Sequence, residues 1–150
     1  PSDGPERPCV RVLRADGTDT GIAFHGVPGG HEFNSFVVGL YNAAGPGQSI
    51  DPALAEAIAA IDRPLDLQIV VALSCTMCPE LVIAAQKIAA SNPLVTAKVY
   101  DVNHFPELRE RYKIMSVPCL IINKAKVAFG KKTLGQLLEL LAEPEAGQTG

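Results

Sequence analysis

The stretch LDLQIVVALSCTMCPELVIAAQKIAAS, residues 65–91, decides the fold. Its first nine residues finish in a nearly unbroken apolar run, the pattern of a strand covered on both faces. From Cys75 onward the pattern changes to a helix, in which Leu81, Ala84, Ala85, Ile88 and Ala89 recur on one side. Asn92-Pro93 stops that helix. Cys75 and Cys78 sit at the junction, three positions apart. A C-x-x-C pair beside a strand–helix pattern reads as redox chemistry first and metal binding second.

Reading outward, LVTAKVYDV (94–102) is a second strand and FPELRERY (105–112) a short helix. SVPCLIIN (116–123) is a third strand, KVAFG its hairpin partner, and Leu134, Leu137, Leu138 and Leu141 mark a final helix. Before the decisive stretch, Pro52 opens a helix striped by Leu54, Ala57, Ile58 and Ile61, which Arg63-Pro64 ends. This block reads α-β-α-β-α-β-β-α. A parallel βαβ unit with a right-handed crossover, followed by a hairpin that adds an antiparallel edge, leaves few topologies. The one that fits is an α/β fold with a four-stranded mixed sheet and helices on both faces.

The segment before residue 46 echoes part of this order. PCVRVLR, a turn at Asp16-Gly17, TGIAF and an apolar helix from His31 repeat the sequence PCLIIN, turn, KVAFG and helix. In the first copy Phe33, Phe36, Val37, Leu40 and Tyr41 form the apolar stripe expected to face the core. The expected division is therefore an unstructured start at 1–7, a partial ββα unit without active cysteines at 8–45, the C-x-x-C unit at 46–143, and a solvated tail at 144–150. An unrelated hairpin and helix packed on the main unit is the alternative.

The 150 residues carry 47% apolar residues, no tryptophan and a net charge of −3. Such a chain can build a core from Val, Leu, Ile and Ala. The charge argues against nucleic acid or an anionic membrane as the main partner. No run approaches the ~18 apolar residues of a membrane span, and the PSDGPERP opening does not read as a signal peptide. The absence of an initial Met reads as a processed chain or a piece of a longer one. Four cysteines, with one tight pair, do not form a secreted disulfide framework, so a reducing compartment, the cytoplasm, is expected.

At the start of a helix, Cys75 falls at or near the N-cap, where unpaired amides and the macrodipole favour a thiolate. Cys78, one turn on, lies on the same side and deeper, placed to attack a mixed disulfide held at Cys75. Thr76 and Met77, between them, and Val117-Pro118, expected beside the helix start, would meet the client. Pro118 is expected to be cis in this setting; a trans proline at a strand edge is the plain alternative. Cys119 and Cys9 read as small buried hydrophobes. Glu32 lies in the first turn of its helix at the margin of the apolar stripe. Half-buried, it would have a raised pKa and could exchange a proton with Cys78; otherwise it is an acid favoured by the helix N-terminus. His31 could cap the same turn, and His25 and His104 show no partner.

VPGGHEF-x-S-x-V-x-x-L, LSCTMCP, an NP dipeptide and SVP, in that order, resemble the N-terminal domain of the alkyl hydroperoxide reductase flavoprotein subunit, and the related protein disulfide oxidoreductases. The likeness spans about residues 8–142. It implies two thioredoxin folds sharing one sheet, with active cysteines only in the second. It implies a relay that takes electrons from a flavoprotein disulfide centre and passes them to a peroxiredoxin. Cys75 is the implied nucleophile and Cys78 the resolving cysteine. Glu32 is the implied substitute for the buried aspartate of ordinary thioredoxins, a position held here by Ile69. Three features depart from that family: the opening βαβ of the first fold is not seen in this sequence, Thr76-Met77 replaces His-Asn, and Cys119 stands where the family need not have a cysteine. No GxGxxG fingerprint occurs, so FAD and NAD(P)H are expected only in a partner or parent reductase. Two other functions compete with exchange: a protein-binding module whose cysteine pair is structural or idle, and a zinc site built on Cys75, Cys78 and Cys119. The zinc site lacks an obvious fourth ligand, so no resident metal is expected.

Overall fold

The computed structural model describes residues 7–45 and 47–143. The segments expected to be unstructured, 1–7 and 144–150, lie outside the described residues except for Arg7. The chain order is β1 (Cys9–Leu13), β2 (Asp19–His25), α1 (Glu32–Ala44), α2 (Pro52–Ala59), β3 (Leu65–Val71), α3 (Cys78–Ser91), β4 (Val95–Asp101), α4 (Glu107–Arg111), β5 (Cys119–Ile122), β6 (Lys126–Phe129) and α5 (Leu134–Ala142). The strands form one sheet in the order β1-β2-β4-β3-β5-β6.

The expected four-stranded unit makes up β4-β3-β5-β6 of that sheet. β3 and β4 pair in parallel across the α3 crossover, β5 runs antiparallel to β3, and β6 closes the hairpin. The hairpin of β1 and β2 extends the same sheet, because β2 runs parallel to β4 with Ile22 opposite Ala97 and Phe24 opposite Val99. The two Pro-Cys segments open corresponding strands, β1 and β5. Pro8 and Pro118 both follow cis peptide bonds.

Strand alternation sends Ile22, Phe24, Leu67, Ile69, Val99 and Leu120 to one face, where α3, α2 and α5 cover them. The opposite face carries Val70, Tyr100, Cys119 and Ile121 under Phe105, Leu108 and Ile114 around α4. The ends of the helices are tied by specific polar groups. Thr133 and Gln136 form a reciprocal capping box at the start of α5. Asn92 donates to the carbonyls of Ile58 and Ile61 and accepts from the Leu94 amide, fixing the end of α3 to the end of α2.

One element reverses the expectation. The stripe of α1 faces outward: Phe33, Val37, Leu40 and Tyr41 are exposed, and Phe36 is only partly buried against the core. The residues that α1 buries are Glu32, Ser35, Gly39 and Asn42. The cause is the closeness of α1 to α3. A Cβ added at Gly39 would lie 2.6 Å from Gln86 Oε1, so large apolar side chains cannot occupy this interface. Apolar periodicity identified the helix correctly but gave the wrong side.

Candidate active site at the start of α3

The strand β3 ends at Val71, and the chain turns before the helix. The Cys75 amide donates to the Ala72 carbonyl at 2.9 Å, which folds Cys75 back over the end of the sheet. The helix opens at Cys78, with Met77 as N-cap and Pro79 in the first turn, where a missing N–H costs nothing. Cys75 therefore precedes the helix rather than capping it. Thr76 and Met77 adopt the turn that delays the start. Thr76 and Met77 are both exposed. Cys75 is exposed only in part by its surroundings, and Cys78 has no exposed surface. Both are free thiols, and the Cys75 sulfur bears on the Cys78 thiol.

Val117-Pro118 arrives from the loop before β5. The Cys75 thiol donates to the Val117 carbonyl at 3.9 Å, a sulfur contact at the long end of the range. Pro118 is cis and buried. Met115, which has no signal in the sequence pattern, is 84% exposed two residues before Val117, and Met77 is exposed beside the cysteines. Neighbouring residues say nothing about Met115, because the loop that carries it is placed by the hairpin that follows.

Glu32 reaches the site through a glycine. Gly30 has φ +54, and a Cβ there would lie 2.5 Å from the Leu73 carbonyl. Only a residue without a side chain lets the His31 amide donate to that carbonyl at 2.9 Å. This bond pins the start of α1 to the loop that carries the cysteines. His31 occupies the N-cap position without a side-chain capping bond, contrary to the capping role expected of it. Glu32 follows it inward and is fully buried, not a solvated first-turn acid.

Burial pushes the Glu32 carboxyl up to about 7. Ser35 opposes this weakly; its hydroxyl lies near the carboxylate, yet no oxygen of either group meets ordinary hydrogen-bond geometry. The Cys78 thiol is pushed well above the ordinary thiol range. Burial is the main cause, the Cys75 sulfur and the Glu32 charge add to it, and the Ala72 backbone partly offsets it. Glu32 is the carboxyl whose charge bears on the Cys78 thiol.

The other cysteines separate. Cys119 is buried and its thiol is pushed up to about 11 by that burial. Cys9 is not the buried hydrophobe expected of it: it is exposed on the edge strand, with its sulfur 3.8 Å from His25 Nε2. His25 likewise has partners, stacking on Tyr100 with ring centroids 4.3 Å apart. His104 is exposed in the turn after β4. Among the described residues no group of three or more His, Cys, Asp or Glu side chains is placed to hold a metal. None of the described helices is long and apolar enough to cross a membrane.

Residues 65–142 match the thioredoxin domain family. The chain belongs to that family. This thioredoxin domain is 33% identical over 135 residues to the F subunit of alkyl hydroperoxide reductase from Pseudomonas aeruginosa, covering 90% of this chain and 25% of that protein. It thus spans about a quarter of the length of that relative. The NTD_N/C domain of alkylhydroperoxide reductase AhpF from Enterococcus faecalis superposes with a TM-score of 0.88 at 42% identity, over 91% of this chain and 66% of that one. A protein disulfide oxidoreductase from Aeropyrum pernix shares the fold, with a TM-score of 0.81 at 22% identity over 95% of this chain and 62% of its own. The family match and the Enterococcus faecalis domain agree on the fold of this thioredoxin domain.

Proposed function

We propose that Cys75 and Cys78 relay electrons by dithiol–disulfide exchange between a flavoprotein disulfide centre and a peroxiredoxin or another disulfide client. The observation that carries this reading is the convergence of three groups: a half-buried thiol, a fully buried thiol one helical turn on that the first bears on, and a fully buried carboxyl whose charge bears on the second.

In the exchange, Cys75 attacks the client disulfide as its thiolate. One client sulfur leaves with the bonding pair, and a mixed disulfide forms. Cys78 then loses its proton to Glu32, and its thiolate attacks the Cys75 sulfur. The second client sulfur leaves and takes up a proton, so the client is reduced by two electrons and the Cys75–Cys78 disulfide remains. A donor dithiol reverses the sequence and restores the pair. Thr76, Met77, Val117 and Pro118 would line the client, with the backbone around Val117 offered to an extended segment. No cofactor is assigned to this chain. FAD and NAD(P)H would belong to the donor, attached in the same chain or separate. A reducing compartment, the cytoplasm, suits a pair that must be re-reduced.

The test is reduction of insulin by the chain with dithiothreitol, followed by the same assay on a peroxiredoxin disulfide. Cys75→Ser should abolish both activities. Cys78→Ser should accumulate a mixed disulfide that non-reducing electrophoresis resolves. Full activity in Cys75→Ser would leave a binding module with an idle pair.

A further inference from the structure

The sequence holds two methionines, Met77 and Met115, and both belong to the loops that meet at Cys75. Met77 occupies the N-cap position of α3, two residues after Cys75. Met115 lies two residues before Val117, whose carbonyl is 3.9 Å from the Cys75 sulfur. Two residues of chain span at most about 7 Å, so Met115 is held close to the reactive thiol. Met77 is 52% exposed and Met115 84% exposed. Neither joins a core cluster, so packing within the fold does not account for a large apolar side chain at either place. The surrounding sequence is neutral. Residues 72–79 and 115–118, ALSCTMCP and MSVP, carry no charged side chain in a chain that is 19% charged. Ser74, Thr76 and Ser116 are the polar side chains exposed there. The amides of Ser116 and Val117 donate to no group among the described residues, which leaves them to the backbone of an incoming extended segment.

We propose that Met77 and Met115 are specificity-determining residues of the exchange site: they grip apolar side chains that flank the disulfide cysteine of an extended client segment. This rests on the exchange reading above, in which Cys75 attacks that disulfide. One methionine comes from the turn before α3 and the other from the loop before β5, so two separate elements approach the client. Burying an apolar side chain of the client against the thioethers takes both surfaces out of water. A charged side chain in the same place would lose water without gaining a partner, because the rim offers no opposite charge. The methionine side chain is unbranched and adaptable, so one pair of them fits apolar side chains of different shapes. The site therefore selects for apolar surroundings of the disulfide rather than for one client sequence.

The test follows the reduced full chain reacting with three short peptides. Each peptide carries its one cysteine as a mixed disulfide with thionitrobenzoate, flanked by leucines, by glutamates or by lysines. Attack at the peptide sulfur releases the coloured thiolate, which gives a second-order rate constant for each peptide. The leucine peptide should react about tenfold faster than either charged one, the order expected for burying one large apolar side chain. Met77→Gln and Met115→Gln keep the length of the side chain and add no charge beside the thiol, but lose its apolar end. Each should lower that ratio by about threefold or more, and Met77→Leu and Met115→Leu should keep it. Equal rates for the three peptides, or a ratio that survives both Gln substitutions, overturns the grip and leaves exchange in place. A charged peptide that reacts fastest overturns it in favour of a client chosen by charge. Reaction with none of the peptides overturns the exchange reading and the grip with it. If the methionine variants fold poorly, nuclear magnetic resonance on Cys78→Ser with the leucine peptide bound at Cys75 decides. The two methionine methyl signals should then show cross-relaxation with the leucine methyls, and its absence overturns the proposal.

Discussion

Replacing Glu32 by Gln should stabilise this fold, and by an amount that depends on pH. The carboxyl titrates at about 7 in the folded chain against an ordinary value of 4.5, because it is buried. Between those values the unfolded chain has released the proton while the folded chain still holds it. Stability therefore falls as pH rises through this window, and the loss is complete above about 7. At about 1.4 kcal/mol per pKa unit the interval corresponds to about 3 kcal/mol. Glutamine has nearly the same shape and no charge to bury, so Glu32→Gln escapes the penalty. At pH 4 both forms are neutral and should be nearly equal in stability; at pH 8 the variant should be more stable by about 3 kcal/mol, or roughly 6–12 °C in Tm. Burial is the main cause of the raised Cys78 thiol and is kept in the variant, so Cys78 stays protonated in both folded proteins up to pH 8 and adds little to the difference. The chain has no tryptophan, so the assay is urea unfolding followed by circular dichroism, with the thiols kept reduced. Parallel stability curves for the two proteins from pH 4 to pH 8 would refute the reasoning, because they would mean that Glu32 ionises as freely when folded as when unfolded.

Other consequences follow from the same geometry. Among the four thiols, Cys9 and Cys75 should react with a maleimide in the folded chain and Cys78 and Cys119 should not, which peptide mapping after a short pulse would show. Val37→Ser and Tyr41→Ser should cost less than about 1 kcal/mol, whereas Leu81→Ala should cost about 2–5 kcal/mol, measured by the same urea unfolding. Gly30→Ala should lose more than about 1 kcal/mol, since its φ of +54 disfavours a side chain and the Leu73 carbonyl blocks one. It should also slow thiol release by moving Glu32 away from Cys78. Asn92→Ala leaves two carbonyls and one amide without their side-chain partner and should cost about 2 kcal/mol or more.

Much of this arrangement is legible in the sequence. The apolar run ending at Val71, the C-x-x-C step and the two hairpins have local signatures, so the strands and helices fall within a few residues of where the pattern puts them. The order of the four-stranded unit follows because a parallel crossover and an antiparallel hairpin leave little choice. The start of α3 is misplaced by the pattern because an N-cap can sit at any residue willing to leave the helix; here Thr76 and Met77 form the turn, and Cys78 is the first helical residue. Cys9 is misjudged because its neighbouring valines resemble those of a core strand. Burial of a strand depends on what pairs beside it, and β1 stands at the edge of the described sheet. Nothing local records that.

The expectation for α1 fails for a reason that bears on the chemistry. Apolar spacing tells which residues share a side, and the usual inference is that the apolar side is buried. In α1 the buried side is the polar one. Glu32 heads that polar side, with Ser35 one turn on and Gly39 packed against Gln86 beyond it. The outward apolar residues Phe33, Val37, Leu40 and Tyr41 are what remains when a helix gives its buried side to those residues.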